Sequence, residues 1–146
     1  MKNQKIAERI HLKTSGEELD KITFAVNGTL MRGFALNKNL LDLNAEFVSI
    51  TRTSQKYRIW SIQDEYPAMI RDEKDGKKID IELWQLSPDA LVSILQKEPP
   101  GLCIGKVELE NGNVVLGVLG EPCVILGQKE ITEFGGWRQY ISVKQE

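Results

Sequence analysis

Surplus positive charge, histidine, cysteine and long apolar runs are all scarce in this 146-residue chain, and each scarcity removes a class of function. Nineteen Lys and Arg against 21 Asp and Glu leave a formal net charge of −2. Phosphate-backbone binding depends on clustered surplus cations, so no nucleic-acid partner is expected. A single histidine, His11, cannot build a His-rich zinc site, and any nucleophile–histidine dyad would have to recruit that same residue. No metal and no cofactor are expected. Cys103 and Cys123 stand twenty residues apart with no CxxC pair. They read as two small buried apolar side chains in a reducing compartment rather than as a disulfide framework. No apolar run approaches the roughly 18 residues that a membrane helix needs. The polar start "MKNQKIAERIHLKTSGEELDK" also lacks the apolar region of a signal peptide. A cytoplasmic protein without a membrane partner is expected.

What the chain does have is 41% hydrophobic and 27% charged residues, a balance that suits one globular domain and would starve two. Residues 1–20 read as a flexible arm or short helix, and residues 21–146 as a single domain. "ITFAV" reads as a strand, and "LNKNLLDLN" as a helix from the spacing of Leu36, Leu40, Leu41 and Leu43. "EFVSITRT", "KYRIWSI" and "YPAMI" follow as extended segments, and "RDEKDGKK" as a charged turn. In "IDIELWQL" the alternation of an extended chain sets Ile79, Ile81 and Leu83 on one face and Asp80, Glu82 and Trp84 on the other, the first being expected to face the core. "SPDALVSILQK" carries a helix start, with Ser87 as N-cap, Pro88 in the first turn and Asp89 near the positive end of the dipole. "EPPG" stops it, and "KVELENGNVVLGVLG" is a hairpin turning at Asn111-Gly112. Many strands and few helices predict an α+β fold with a strongly curved sheet or small barrel and flanking helices.

The candidate site begins in "FAVNGTLMRGF", where a β run stops at Asn27-Gly28. Gly28 and Gly33 are spaced as in a phosphate loop, but Phe34-Ala35 stand where such a loop needs Lys and Ser/Thr. A dinucleotide fingerprint also fails, since neither G-x-G-x-x-G nor a βαβ alternation is present. Two readings remain: a strand–loop–helix unit whose backbone N–H groups hold a carboxylate or similar small anion, or a glycine turn without a ligand. Glu98, after a helix end and stiffened by Pro99-Pro100, is a candidate proton carrier, as is Glu82 if its strand face lines the barrel. Each has an ordinary alternative as a solvated residue. Tyr66 offers either a hydroxyl near the mouth or a packing ring. In "EFGGWRQY", Gly135-Gly136 permit an unusual backbone path, and Arg138 serves either as a partner for a ligand carboxylate or in a structural ion pair.

The order of "FAVNGTLMRGFALNKNL", "ITRTSQKYRIWSI", "YPAMI", "IDIELWQLSPDAL", "GLCIGKVELENG" and "EITEFGGWRQYI" resembles the C-terminal domain of allophanate hydrolase, read here as standing alone. The similarity covers about residues 21 to 142, and its "NGTL", "YPAM" and "ELWQLSPDAL" pieces also resemble the wider gamma-glutamylcyclotransferase-like superfamily. The resemblance implies a small barrel with flanking helices and a pocket at its mouth. It implies that Asn27, Gly28, Thr29 and Leu30 bind a substrate carboxylate and that Glu98 is the acid/base. It further implies a small carboxylated amide or urea-derived metabolite as substrate. The alternative is a non-catalytic metabolite-binding or assembly module working beside an amidase or through self-association. Two departures are visible. The cyclotransferase context Leu-Asp-x-x-Glu-Gly becomes "ILQKEPPG", with Leu95 and Pro99 in place of the aspartate and the glycine, and Leu30 stands where the fused domain carries a histidine. The fused domain's reaction is decarboxylation of N-carboxycarbamate, so the resemblance carries the pocket further than the reaction.

Overall fold

Residues 21–145 are described by the computed structural model, and the arm or short helix expected over residues 1–20, with His11, lies outside them. Eight strands form from the β-branched and aromatic runs: β1 (Ile22–Val26), β2 (Glu46–Arg52), β3 (Tyr57–Ile62), β4 (Tyr66–Arg71), β5 (Asp80–Leu86), β6 (Leu102–Glu108), β7 (Val114–Gly120) and the two-residue β8 (Lys129–Glu130). Among the described residues, three α-helices accompany them: α1 (Asn37–Asp42), α2 (Pro88–Lys97) and α3 (Trp137–Lys144). One sheet runs in the order β2-β5-β1-β7-β6, and a second in the order β4-β3-β8. Among the described residues, β1 and β7 pair in parallel and the other strand pairings are antiparallel. The class is α+β as expected, but β2 and β6 remain the edges of the larger sheet, so it does not close into a barrel.

Local chemistry places two elements as the sequence implies. The Ser87 hydroxyl accepts from Ala90 N–H at 3.1 Å and caps α2, with Pro88 in its first turn. The β6–β7 hairpin turns at Asn111-Gly112, with Gly112 at φ 90° and Asn113 N–H donating to the Asn111 side chain. Burial on β5 differs from the one-sided expectation. Ile81 and Leu83 pack with Ala25 and Leu109 in a small cluster. Trp84, on the opposite face, belongs to the main core with Phe24, Val26, Leu40 and Trp137. An inner strand flanked by β1 and β2 is covered on both sides, so both faces are apolar and even Glu82 is only 2% exposed. The cysteines also depart from expectation: Cys103 is half-buried and Cys123 exposed on a 3-10 turn, both as free thiols.

Candidate functional site

The end of β1 is pinned before the loop begins. Asn27 is buried, and its side-chain amide donates to Val118 O on β7 at 3.0 Å. The loop then folds on itself, with Met31 N–H donating to Gly28 O and Leu36 N–H to Thr29 O. Among the described residues, no protein acceptor takes the backbone N–H of Gly28, Thr29 or Leu30. Leu30 sends its side chain into the main core, so it offers the site only its backbone. Gly28 is required by proximity rather than by an unusual φ: a Cβ built there would lie 2.4 Å from Pro67 Cδ. That close approach seats β4, and with it Tyr66, against the loop.

The loop, Tyr66, Pro67 and Glu98 face one cleft, walled by Leu102 and Val118, whose enclosed part measures about 20 Å³. Glu98 caps the C-terminus of α2 and is half-buried; burial pushes its carboxyl above the ordinary range. No cation among the described residues pairs with it. The Tyr66 hydroxyl is also pushed up, first by burial and then by the negative charges of Glu65 and Glu98. At neutral pH it is therefore a protonated donor. The cleft thus combines unpaired N–H donors, a phenol and a carboxyl whose ionisation is discouraged. Three of the expected elements, the Asn27–Leu30 loop, Tyr66 and Glu98, come together here.

Glu82 and Arg138 do not join them. The buried Glu82 carboxylate accepts from Arg32 N–H at 3.0 Å, Trp84 Nε1 at 3.2 Å, Arg32 Nε at 3.2 Å and Arg138 Nη2 at 3.1 Å. Those four bonds occupy the acceptor capacity of a carboxylate, which leaves Glu82 as a clamp rather than a solvated strand residue. Arg138 reaches the loop only at its far end, donating to Arg32 O at 2.8 Å and stacking over Phe34. Both residues border a separate cavity of about 270 Å³. Sequence reasoning passed over Arg32, although it lies within the quoted "NGTLMRGF"; the signal was an arginine immediately after a glycine loop. Pro67, in "YPAM", carries no sign in the sequence of its contact with Gly28. Among the described residues, no three His, Cys, Asp or Glu side chains are grouped to hold a metal ion.

The sequence model of the allophanate hydrolase C-terminal domain matches residues 22–142. The chain belongs to the allophanate hydrolase C-terminal domain family. Urea amidolyase from Lachancea kluyveri is 29% identical over 135 residues, a match covering 87% of this chain and 7% of that protein. The chain therefore spans about 7% of the length of the curated relatives it matches. Among solved structures, c4763, a uropathogenic E. coli-specific protein, is 48% identical with a TM-score of 0.82, over 84% of this chain and 96% of that one. An aig2-like protein from Mus musculus is 20% identical with a TM-score of 0.54, over 72% of this chain and 82% of that one, and shares the fold alone. This allophanate hydrolase C-terminal domain has a gamma-glutamylcyclotransferase-like fold whose larger sheet is open. None of its helices, among the described residues, is long and apolar enough to cross a membrane.

Proposed function

We propose that this domain is a small-molecule enzyme acting on a small carboxylated amide or urea-derived metabolite, with Glu98 as the acid/base. One observation carries the reading: the N–H groups of Gly28, Thr29 and Leu30, unpaired among the described residues, border the same cleft as a half-buried carboxyl that none of the described cations holds. The N–H groups bind the substrate carboxylate, and Asn27 fixes the strand end that presents them. Tyr66 donates to a substrate oxygen. Glu98, its proton affinity raised by burial, accepts a proton from the attacking nitrogen and delivers it to the departing nitrogen within the turnover. The enclosed space of about 20 Å³ admits a head group of about one water's size, so the remainder of the ligand lies towards solvent. A cytoplasmic setting accompanies this reading, in keeping with two free thiols.

Replacing Glu98 by Gln keeps the shape and removes the titrating proton. Turnover in a panel of ureas, carboxylated amides and gamma-glutamyl amides is expected to fall by about 10²–10⁴-fold, with ligand affinity within about threefold of the parent. Undiminished turnover would transfer the chemistry away from this cleft. A second reading is an assembly module that works beside an amidase. It is supported by the small enclosed volume and by the much longer urea amidolyases in which homologous sequence occurs. It predicts no turnover in the parent and a stable complex with a co-expressed amidase on size exclusion.

A further inference from the structure

The larger cavity is separate from the cleft just described, and its lining is chemically divided. It opens where the main-core face of β5 runs out, between Met31 after the glycine loop, Ile50 on the edge strand β2, and the first turn of α3. Met31 is buried and Ile50 is 66% exposed, so the cavity has an apolar base and an apolar lip. Its polar residues fall into two groups. At one end, Glu82 and Arg138 line the cavity as an ion pair, and Arg32 outside the lining pairs with the same carboxylate, leaving the cluster with an excess of one positive charge. Arg138 uses only Nη2 in these contacts, and its side chain is 48% exposed, so its remaining N–H donors are available. At the other end stands Asp80, which accepts from Gln139 Nε2 and pairs with no cation among the described residues.

Asp80 and Glu82 lie two residues apart on one strand, which separates them by about 7 Å. Arg138 beside Glu82 and Asp80 line one cavity, so a small molecule carrying a negative and a positive group on neighbouring atoms complements both within hydrogen-bond reach of about 3 Å. The α-carboxylate and α-ammonium of an amino acid have that arrangement. An apolar side chain would lie on Met31 and Ile50, and a volume of about 270 Å³ accommodates it. We propose that this cavity is a binding site for a free, apolar L-α-amino acid, with Arg138 recognising the carboxylate and Asp80 the ammonium. Occupancy bears on the cleft, because Arg138 also holds Arg32 O at the end of the loop whose N–H groups line it.

The full chain is titrated with each of the twenty standard L-amino acids by thermal shift and calorimetry. An apolar amino acid at about ten times its Kd is expected to raise Tm by about 4 °C. Its N-acetyl and methyl-ester derivatives, which lose one charge each, are expected to bind at least tenfold more weakly. Asp80→Asn should weaken binding by tenfold or more. Ile50→Trp, at an exposed position where folding is undisturbed, should block the lip. Glu98→Gln should leave binding unchanged, which keeps this result distinct from any outcome in the Glu98 cleft. The proposal is overturned if no amino acid shifts Tm at about 10 mM, if the blocked derivatives bind as well as the parent, or if Ile50→Trp binds normally while Glu98→Gln does not.

Discussion

At Gly28 the absence of a side chain lets the Pro67 ring approach to a distance that no Cβ would permit. Proline cannot swing aside as a flexible chain can, so Gly28→Ala must move either the loop or β4. A cost of about 1–3 kcal/mol is expected in urea unfolding. Adding Pro67→Ala removes the obstacle, and the double variant should regain at least half of the loss; simple additivity of the two changes would refute the contact as the cause. Glu98 acts on stability through its proton. Burial raises its native pKa above the unfolded value near 4.5, so the native state binds more protons between the two values. Its contribution is fully present below the unfolded value and is lost as pH rises through the native one. Glu98→Gln does not titrate, so its stability relative to the parent should increase from about pH 4 to pH 7. A gap independent of pH would show that Glu98 is fully solvated.

At the scale of elements, Glu82 joins three segments: β5 through its own backbone, the glycine loop through Arg32, and α3 through Arg138. Its side chain is 3% exposed while those of both arginines are nearly half exposed. Removing the acid strands Trp84 Nε1 and Arg32 N–H, whereas removing one arginine leaves the other in place. Glu82→Ala is therefore expected to cost about 3–5 kcal/mol, and Arg138→Ala clearly less. A double-mutant cycle between them should give a coupling of about 1–2 kcal/mol, and zero coupling would make the clamp irrelevant to the fold. This joint was not legible in the sequence, because 56 residues separate its partners and only packing brings them together. Helix α2 and the β6–β7 hairpin were legible because Ser87, Pro88 and Asn111-Gly112 act within a few residues of themselves. The loop and Glu98 were placed in one site through resemblance and Tyr66 was a candidate on its hydroxyl alone, since neither spacing nor periodicity connects residues 28, 66 and 98.

Over the whole molecule, the two sheets meet directly, as where Glu108 N–H donates to Tyr57 OH, and the C-terminal segment bridges them a second time. Gly135 adopts φ 89°, in the left-handed region, and Gly136 passes so near Gln139 and Asp80 that a Cβ there would meet Gln139 Oε1 at 2.9 Å. The turn they make sends Trp137 and Tyr140 into the main core, where they are 2% and 4% exposed. From that position α3 contacts both sheets: Arg138 and Gln139 bind Glu82 and Asp80 on β5, while Tyr140 and Lys144 bind Asp64 in the β3–β4 turn. The unusual path at Gly135-Gly136 was legible in the sequence and Arg138 had two readings there, of which the ion pair with Glu82 is the one observed, but the strap between sheets was not legible. The Asp64 carboxyl is held well below its ordinary range, chiefly by Lys144 and then by Tyr140 and Ser61. A depressed acid stabilises above its unfolded pKa and loses that contribution as pH falls through the native one, so part of the strap weakens only in strong acid. Deleting residues 135–146 removes both anchors at once. Losing a buried aromatic costs about 3–5 kcal/mol, so the pair approaches the total stability of about 5–15 kcal/mol that a domain of this size has. The truncated chain should retain far-ultraviolet circular dichroism, lose its near-ultraviolet signal and bind anilinonaphthalene sulfonate, because the ladders within each sheet survive while the packing between sheets does not. Trp137→Ala should fall between this state and the parent and still unfold cooperatively. A truncated chain that melts in one sharp transition within about 5 °C of the parent, a shift of only about 1–2 kcal/mol, would mean that the sheets pack without the strap.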